Sequence, residues 1–489
     1  MPVDTKHPEY LAAVARWKRA RDVTSGEDAV KAAGEAYLPR IGAQTQIEYD
    51  AYKLRASLFN ATGRTHDGLV GLVFRKDPES KLPTGLDVLA DDIDLSGTRL
   101  DEFARKVLSD ELLTARGGIL AEYPKAEVRE RTADEIDAEG LRPYLTYWPA
   151  ESIIDWRVGR VGAKSKLTFL KLYAVTYEPD LSDRWDRVRV EWIRVYRLDA
   201  SGVSCEVYSK ADKAGNGHPT EWPIIANTFP IVVAGAPAAE IPFVFITQAV
   251  PSKAALDDLV LTNLSHYRTS ADYENSAHWS GTPTPVFIGS IMGADGGAVT
   301  EVRLGSSSGI NLSENGDAKM LQAEMEDGLG AVLDRKENYM AILGARILSG
   351  EKRQVEAAET AAIHRAGENS VLATAANSVS RALSKALEYA AAFAGISGEI
   401  SYRLSTDYLP TPMDAQTLTA VVSAWQNGAM SGSELFEALI SGEVIRAGKD
   451  PAEHAAELEA EAAERERKAQ DMLAAAANSR AAPNDGVDE

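Results

Sequence analysis

Residues 356–393 read EAAETAAIHRAGENSVLATAANSVSRALSKALEYAAAF, the longest uninterrupted helix signal in the chain. Ile363, Leu372, Ala376, Val379, Leu383, Leu387, Ala390 and, just beyond, Ala394 recur mostly at three- or four-residue steps. That spacing gathers apolar side chains on one helical face. As one continuous helix the stretch would span about 55 Å at 1.5 Å per residue. Ala, Ser and Thr on its flanks let neighbouring helices approach closely, so it reads as a packing helix with no catalytic apparatus. Gly367 lies in its first third, where glycine costs about 1 kcal/mol relative to alanine, and a kink or close helix contact is expected there.

Immediately upstream, a helix is expected over Met325–Leu343, and GARILSGEKRQ (344–354) separates it from the long one. Downstream, ISYRLS after Gly395 reads as a strand, followed by helices over Asp414–Gln426 and Ser433–Ile440 with Gly428 between them. Asp450-Pro451 introduces a final Ala/Glu-rich helix that fades into AAPNDGVDE, expected to be a frayed tail.

The N-terminal part is also largely helical by pattern. Residues 8–40 read as two short helices, one with a Leu11, Val14, Trp17 stripe and one opened by a capping box at Ser25–Asp28. A further helix over Gln46–Asn60 carries Tyr52, Leu54, Leu58 and Phe59, with Gly63 where a stop is expected. Thr98 is positioned to cap an amphipathic helix with Leu100, Phe103, Val107, Leu108 and Leu112 inward, closed by Gly117-Gly118. From Ile119 the texture changes. After a charged insert, Lys125–Gly140, period-two alternation marks strands around Leu170–Ala174 and Val188–Trp192. Val203, Cys205 and Val207 share one face of a third strand, which makes Cys205 a buried small hydrophobe. Arg184, Arg187, Arg189, Arg194 and Arg197 form the one locally basic strand region. It reads first as a solvated sheet face, and as a contact for an acidic partner in the sharper alternative. A helix over Ser252–Trp279 places Leu256, Val260, Leu264 and Tyr267 on one side, and TPTPVFIG then resumes as extended chain. The fold class is therefore α+β.

With 489 residues and 45% hydrophobic content the chain can bury a large core, and its length fits roughly three domain-sized units. One cysteine excludes an intramolecular disulfide and a thiolate-rich zinc site. The first twenty residues lack the apolar core of a signal peptide, and no apolar run approaches the ~18 residues a membrane span needs, so no membrane is expected as a partner. A net charge of −21 argues against nucleic acid held on a broad basic surface. It leaves room for a duplex in passage, since an acidic wall repels phosphates.

Catalytic motifs are missing. Seven histidines form no recognised metal spacing, and His266 and His278, on one expected helix, are twelve residues apart. There is no GxxxxGK[ST] and no GxSxG, and GADGG at 293–297 does not match a dinucleotide fingerprint. Acidic clusters at Asp91, Asp92, Asp94 and at Asp257-Asp258 suit helix starts. No catalytic residue, metal ligand or cofactor is assigned.

Three strings carry a resemblance: LRPYLTYWPAESIIDWRV (141–158), HYRTSADYENSAHWSGTPTPVFIG (266–289) and ETAAIHRAGENSVLATAANSVSRALSKALEYAA (359–392). Their order and co-occurrence make the chain similar to tailed-bacteriophage portal proteins, in a portal-like family long catalogued as a domain of unknown function. The resemblance runs from about His7 to Ala456. It implies a portal-protein fold of wing, stem, clip and crown. The helical wing would occupy 1–140, a β-rich wing and clip region 141–250, and a stem helix 251–282. A wing return with tunnel helix and loop would occupy 283–355, the long packing helix and a strand 356–410, a crown 411–475 and a disordered tail 476–489. It implies a homo-oligomeric ring, typically a dodecamer, at a capsid vertex of the virion, assembled in the host cytoplasm. Double-stranded DNA would pass through without sequence specificity during packaging and ejection, and capsid protein, terminase and head-tail adaptor would be the partners. Lys352 and Arg353 would be the DNA-channel contacts to test. The alternatives are a metal-dependent nuclease and a helical adaptor or scaffold that forms no ring.

Overall fold

A computed structural model describes residues 2–124, 139–213, 216–224, 227–282, 284–292, 311–313, 315–322, 328–348, 370–408, 415–442 and scattered positions between 444 and 468. It divides into one large unit, residues 1–74 and 78–406, and a small one, residues 75–77 and 407–489.

In chain order the large unit contains α1 (Pro8–Ser25), α2 (Glu27–Ala32), α3 (Gln46–Arg55), α4 (Ala61–Val73), β1 (Glu79–Lys81), α5 (Val88–Asp91) and α6 (Leu100–Thr114). Then come β2 (Gly117–Glu122), β3 (Tyr144–Pro149), β4 (Ile153–Val161), β5 (Lys164–Pro179), β6 (Arg187–Asp199), β7 (Gly202–Ala211), β8 (Asn227–Pro230), β9 (Val232–Val233), β10 (Ala236–Pro237) and β11 (Phe243–Phe245). The last part holds α7 (Asp257–Gly281), β12 (Thr284–Ile288), β13 (Ile291–Met292), β14 (Asn311–Leu312), β15 (Asp317–Leu321), α8 (Gly328–Leu348), α9 (Val371–Ala394) and β16 (Ser401–Arg403). The result is a mixed helix and sheet fold in which every described sheet is open and antiparallel.

Two sheets and the helices around them hold the core. A five-stranded meander runs β4-β5-β6-β7-β8, and a three-stranded sheet runs β11-β2-β3. The central strand β2, GGILAE, is buried along almost its whole length. Its period-two alternation sends Leu120 into the cluster of Trp17, Trp148, Trp156, Phe169 and Cys205, and Ile119 and Ala121 to the opposite side, where α9 packs. Cys205 is thus the small core residue its strand position implies. A second cluster joins α1 to α7: Ala20 and Val23 meet Tyr49, Tyr52, Val260, Leu264 and Tyr267.

Several local expectations give way to tertiary contacts. The long helix begins at Val371, not Glu356, because the Ser370 hydroxyl accepts from Ala373 N (3.0 Å) and caps it. Gly367 lies outside the described residues. On α9, Ser380 and Ser384 accept from Leu404 N and Tyr402 N, both at 2.9 Å, so two of its serines tie down the chain at β16. The buried stripe of α1 is Tyr10, Ala13, Trp17, Ala20 and Val23, which leaves Leu11 exposed. Gly26, at φ 107°, takes the N-cap position of α2, so the expected Ser25–Asp28 capping box does not form. Leu54 points outward, and Gly63 sits inside α4, where an added Cβ would lie 2.8 Å from Thr24 O. Arg99, not Thr98, precedes α6. The helix closes on Ala115 in the left-handed region, and Gly117-Gly118 opens β2. The helix expected from Ser252 starts at Asp257, and the one expected over 325–343 runs over Gly328–Leu348.

In the small unit Lys76 Nζ meets the Asp407 carboxylate at 2.5 Å. Two further helices, α10 (Ala415–Gln426) and α11 (Gly432–Ser441), flank a turn in which Gly428 adopts φ 75°. Ser431 and Glu434 form a capping box at α11, and Phe436 stacks on His454 at 5.0 Å.

Candidate functional site

The chemistry-poor sequence points away from a cleft and towards a surface built by α7 and α8. These helices pack together in opposite directions. Gly330 faces the Tyr273 ring, while Lys336 Nζ donates to Ser265 O at 2.9 Å and to Thr269 Oγ1 at 2.6 Å. His266 Nε2 lies 3.3 Å from Glu337 Oε1. As one residue number falls the other rises, which is the signature of an antiparallel pair.

The lower half of α7 is anchored in the helical core. The Thr62 hydroxyl donates to Asn263 Oδ1 (2.8 Å), the Asn263 amide donates to Phe59 O (2.8 Å), Arg268 donates to Tyr37 O (2.7 Å), and the Tyr52 hydroxyl donates to Asp272 (2.6 Å). Beyond Ala271 no described residue of α7 is buried, and on α8 Met340 is the one described side chain that is. The pair therefore leaves the body of the unit. Its end carries the β12-β15 ladder, from Thr284↔Leu321 to Ile288↔Asp317, and the short β13-β14 pair. Leu261, Trp279, Tyr339 and Ile342 on the helices, and Val286, Ile288, Met320 and Leu321 on the ladder, are all exposed. Trp279 and the four ladder residues lie on the projecting end, and Leu261, Tyr339 and Ile342 nearer its root, so exposed apolar side chains run the length of the pair.

At the root of α7 the segment Ile246–Asp257 is fixed by charged groups. Ile246 N donates to Gly117 O at 3.0 Å, and Arg16 donates to Ser252 O at 2.6 Å while meeting the Asp257 carboxylate at 3.5 Å. Arg116, 0% exposed, donates to Ala249 O through Nη1. Its guanidinium lies 3.7 Å from the centre of the Trp156 ring, and His7 stacks on the same indole at 4.0 Å. Arg116 Nε and Nη2 have no hydrogen-bond partner among the described residues. Burial pushes the guanidinium down to about 9, which still leaves it charged at neutral pH, held by the indole rather than by a carboxylate. Glu111 accepts from the Thr247 hydroxyl, and burial raises its carboxyl to about 7.

A family model described as "Domain of unknown function (DUF4055)" matches residues 255–394. No protein of curated function matches the sequence. A chain in the structure titled "Neck of empty GTA particle computed with C6 symmetry" is 14% identical, with 86% of this chain and 98% of that chain covered at a TM-score of 0.36.

The matched span runs from the root of α7 to the end of α9, and so contains the whole projecting pair. Lys352 and Arg353 lie outside the described residues. Among the described residues no three His, Cys, Asp or Glu side chains are grouped to hold a metal ion, and no helix is long and apolar enough to cross a membrane. The acidic clusters are occupied structurally: Asp92 meets Arg142 at 2.6 Å, Asp94 accepts from Ser96 N, and Asp257 accepts from Ala254 N. Neither Lys336 nor Glu337 stood out in the sequence. The signal that could have found them was the placing of two helical patterns on either side of a Gly- and Ser-rich stretch.

Proposed function

We propose that this chain is a structural, non-enzymatic subunit of a portal-like ring at a phage capsid vertex. Duplex DNA passes through the ring during packaging and ejection, and its ends dock terminase and head-tail adaptor. The observation that carries this reading is the antiparallel α7 and α8 pair, which leaves the core, bears strands at its end and exposes apolar residues along its length. A portal stem is a pair of helices flanking a clip. We therefore take α7 and α8 as the two stem helices and the strands between them, within 282–327, as the clip, in place of a clip within the β-rich region. The five-stranded meander then belongs to the wing. The apolar stem surface is covered by the next copy, and the −21 charge of every subunit keeps a moving duplex from adhering. Lys352 and Arg353 remain the proposed DNA contacts of the tunnel.

Negative-stain electron microscopy of the purified chain, with its mass in solution, tests this. Rings with a central hole are expected, and a monomer that never assembles in any buffer would overturn it. Divalent-metal-dependent cleavage of plasmid DNA, abolished by a carboxylate substitution, would instead establish the nuclease alternative.

A further inference from the structure

The strand arginines separate into two groups. Arg189, Arg194 and Arg197 are engaged within the chain, by Glu191, by Glu122 at 2.6 Å and by Glu206 at 2.9 Å. Arg184 and Arg187 form no ion pair among the described residues, and both are exposed. Arg184 sits in the turn joining β5 to β6, and Arg187 in the ladder pair Pro179↔Arg187 that closes it.

This turn is held in shape by its own polar groups. Lys213 Nζ bridges the Asp180 and Asp186 carboxylates at 2.7 and 2.6 Å. Asp180 N donates to Asp186 O (3.0 Å), Ser182 N and Oγ donate to Asp180 Oδ1 (2.8 and 2.7 Å), and Trp185 N donates to Asp183 Oδ1 (3.0 Å). Asn216 clasps the other side, its amide donating to Pro179 O at 2.7 Å and its carbonyl accepting from Leu181 N at 3.1 Å. Below the turn, Val188, Val190 and Ala211 make a small core of their own against Trp192. A turn so thoroughly braced nevertheless leaves Leu181 85% and Trp185 82% exposed, with Arg184 stacked on the Trp185 ring at 4.4 Å.

We propose that this turn is a docking knob that seats on the acidic surface of a second copy of the chain. Charge selects the occupant. With Asp180 and Asp186 neutralised by Lys213, the charges at the turn without an ion pair among the described residues are the Arg184 and Arg187 guanidinium groups and the Asp183 carboxylate, a positive surplus on a chain of net charge −21, so a neighbouring copy offers the acidic surface that surplus requires. Shape selects the symmetry. A convex knob is not complementary to itself, so it meets a different patch on its neighbour, and such a head-to-tail contact repeats around a ring. An acidic chain is also poorly suited to an anionic membrane, the other surface an exposed Trp and Leu could enter.

This inference rests on the ring reading, and its test separates the two. The full chain carrying Leu181→Ser with Trp185→Ser, and a second variant carrying Arg184→Glu with Arg187→Glu, are compared with wild type by analytical ultracentrifugation over a dilution series. The concentration at half-assembly should rise about tenfold or more in each, since burial of one large apolar side chain or one charged contact is worth at least a factor of that order. Both variants should keep the wild-type melting temperature within a few degrees. If a variant misfolds, wild type with Ser182→Cys labelled by an environment-sensitive dye replaces it, and its emission should shift to the blue on assembly. Rings whose assembly midpoint is unchanged by both variants, or whose label stays solvated, would overturn the knob while leaving the ring intact. Binding of vesicles of phosphatidylcholine and phosphatidylglycerol that depends on Trp185, with assembly unchanged, would overturn it in favour of a membrane. A wild-type chain that stays monomeric would remove the ring itself.

Discussion

The Thr247 hydroxyl donates to the buried carboxylate of Glu111, tying the end of α6 to the segment that leads into α7. The second carboxylate oxygen has no partner among the described residues, and burial raises the carboxyl from its ordinary value to about 7. The folded chain therefore keeps a proton that the unfolded chain releases at lower pH. Stability from this group is present at acid pH and is lost as pH climbs to about 7. Glu111→Gln, neutral at every pH, should be more stable than wild type at pH 8 by about 3 kcal/mol, from the rise from 4.5 to about 7 at about 1.4 kcal/mol per pH unit. The gap should close at pH 5. Urea unfolding at the two pH values measures it, and an equal gap at both would show that the carboxyl titrates normally.

Arg116 differs from a buried ion pair in having an indole where a carboxylate would be expected. Its planar, weakly hydrated guanidinium suits that face, and the compact ammonium of lysine does not. Arg116→Lys should therefore destabilise the fold by about 2 kcal/mol or more, through lost stacking and a charge that must be desolvated afresh. Arg116→Met, which removes the charge and fills similar volume, should cost less. Thermal unfolding of the two variants gives the order, and a milder effect for lysine would show that charge matters here and planarity does not.

The contrast between those two sites and the rest of the fold marks what the sequence could show. Val203 and Cys205 on one strand face, Leu256 at the start of α7 and Val260, Leu264 and Tyr267 along one side of it follow from short-range periodicity, and the structure buries all six, with Val207 half-buried beside them. What escaped depends on partners far along the chain. Nothing near Arg116 announces Trp156, and nothing near Lys336 announces Ser265. Helix starts failed for a related reason. Thr98 and Ser25 have capping side chains, but backbone geometry at Arg99 and Gly26 set the actual boundaries. The pairing of α7 with α8 has only a long-range signal, two helical patterns on either side of a Gly- and Ser-rich stretch, although both helices are legible singly.

Gly118 shows the same dependence on a distant partner. It pairs with Phe245 in the β11-β2 ladder, and a Cβ built on it would lie 1.9 Å from Phe243 Cζ. No relaxation of a buried ring within a paired strand absorbs so close an approach cheaply. Gly118→Ala should cost about 2 to 3 kcal/mol, in the range of overpacked cores. Adding Phe243→Leu should cost less in the Gly118→Ala background than in wild type, because the smaller side chain relieves the clash. A double-mutant cycle by denaturant unfolding would show this coupling, and strict additivity would mean that the ring swings away unaided.

Between α7 and α8, His266 has its Nδ1 without a partner among the described residues, and its Nε2 faces Glu337. Burial lowers its affinity for a proton, and the Glu337 carboxylate and the nearby Lys336 ammonium act in opposite directions on it. Burial prevails, so the unfolded chain takes up a proton more readily than the folded one. The stability tied to neutral His266 is thus present above the ordinary histidine range and is lost as pH falls through it. His266→Phe keeps the aromatic contact with Phe59, whose ring centre lies 5.8 Å away, and removes the titration. Relative to that variant, wild type should lose melting temperature as pH is lowered from 7.5 to 5.5. Lys336→Met deletes both bonds that Lys336 Nζ donates to α7 and should cost about 1 to 2 kcal/mol at either pH. If the stem is what holds copies together, acid should weaken assembly of the wild type more than of His266→Phe. Sedimentation at the two pH values separates that outcome from a purely internal loss of stability, which would lower the melting temperature and leave the assembly midpoint in place.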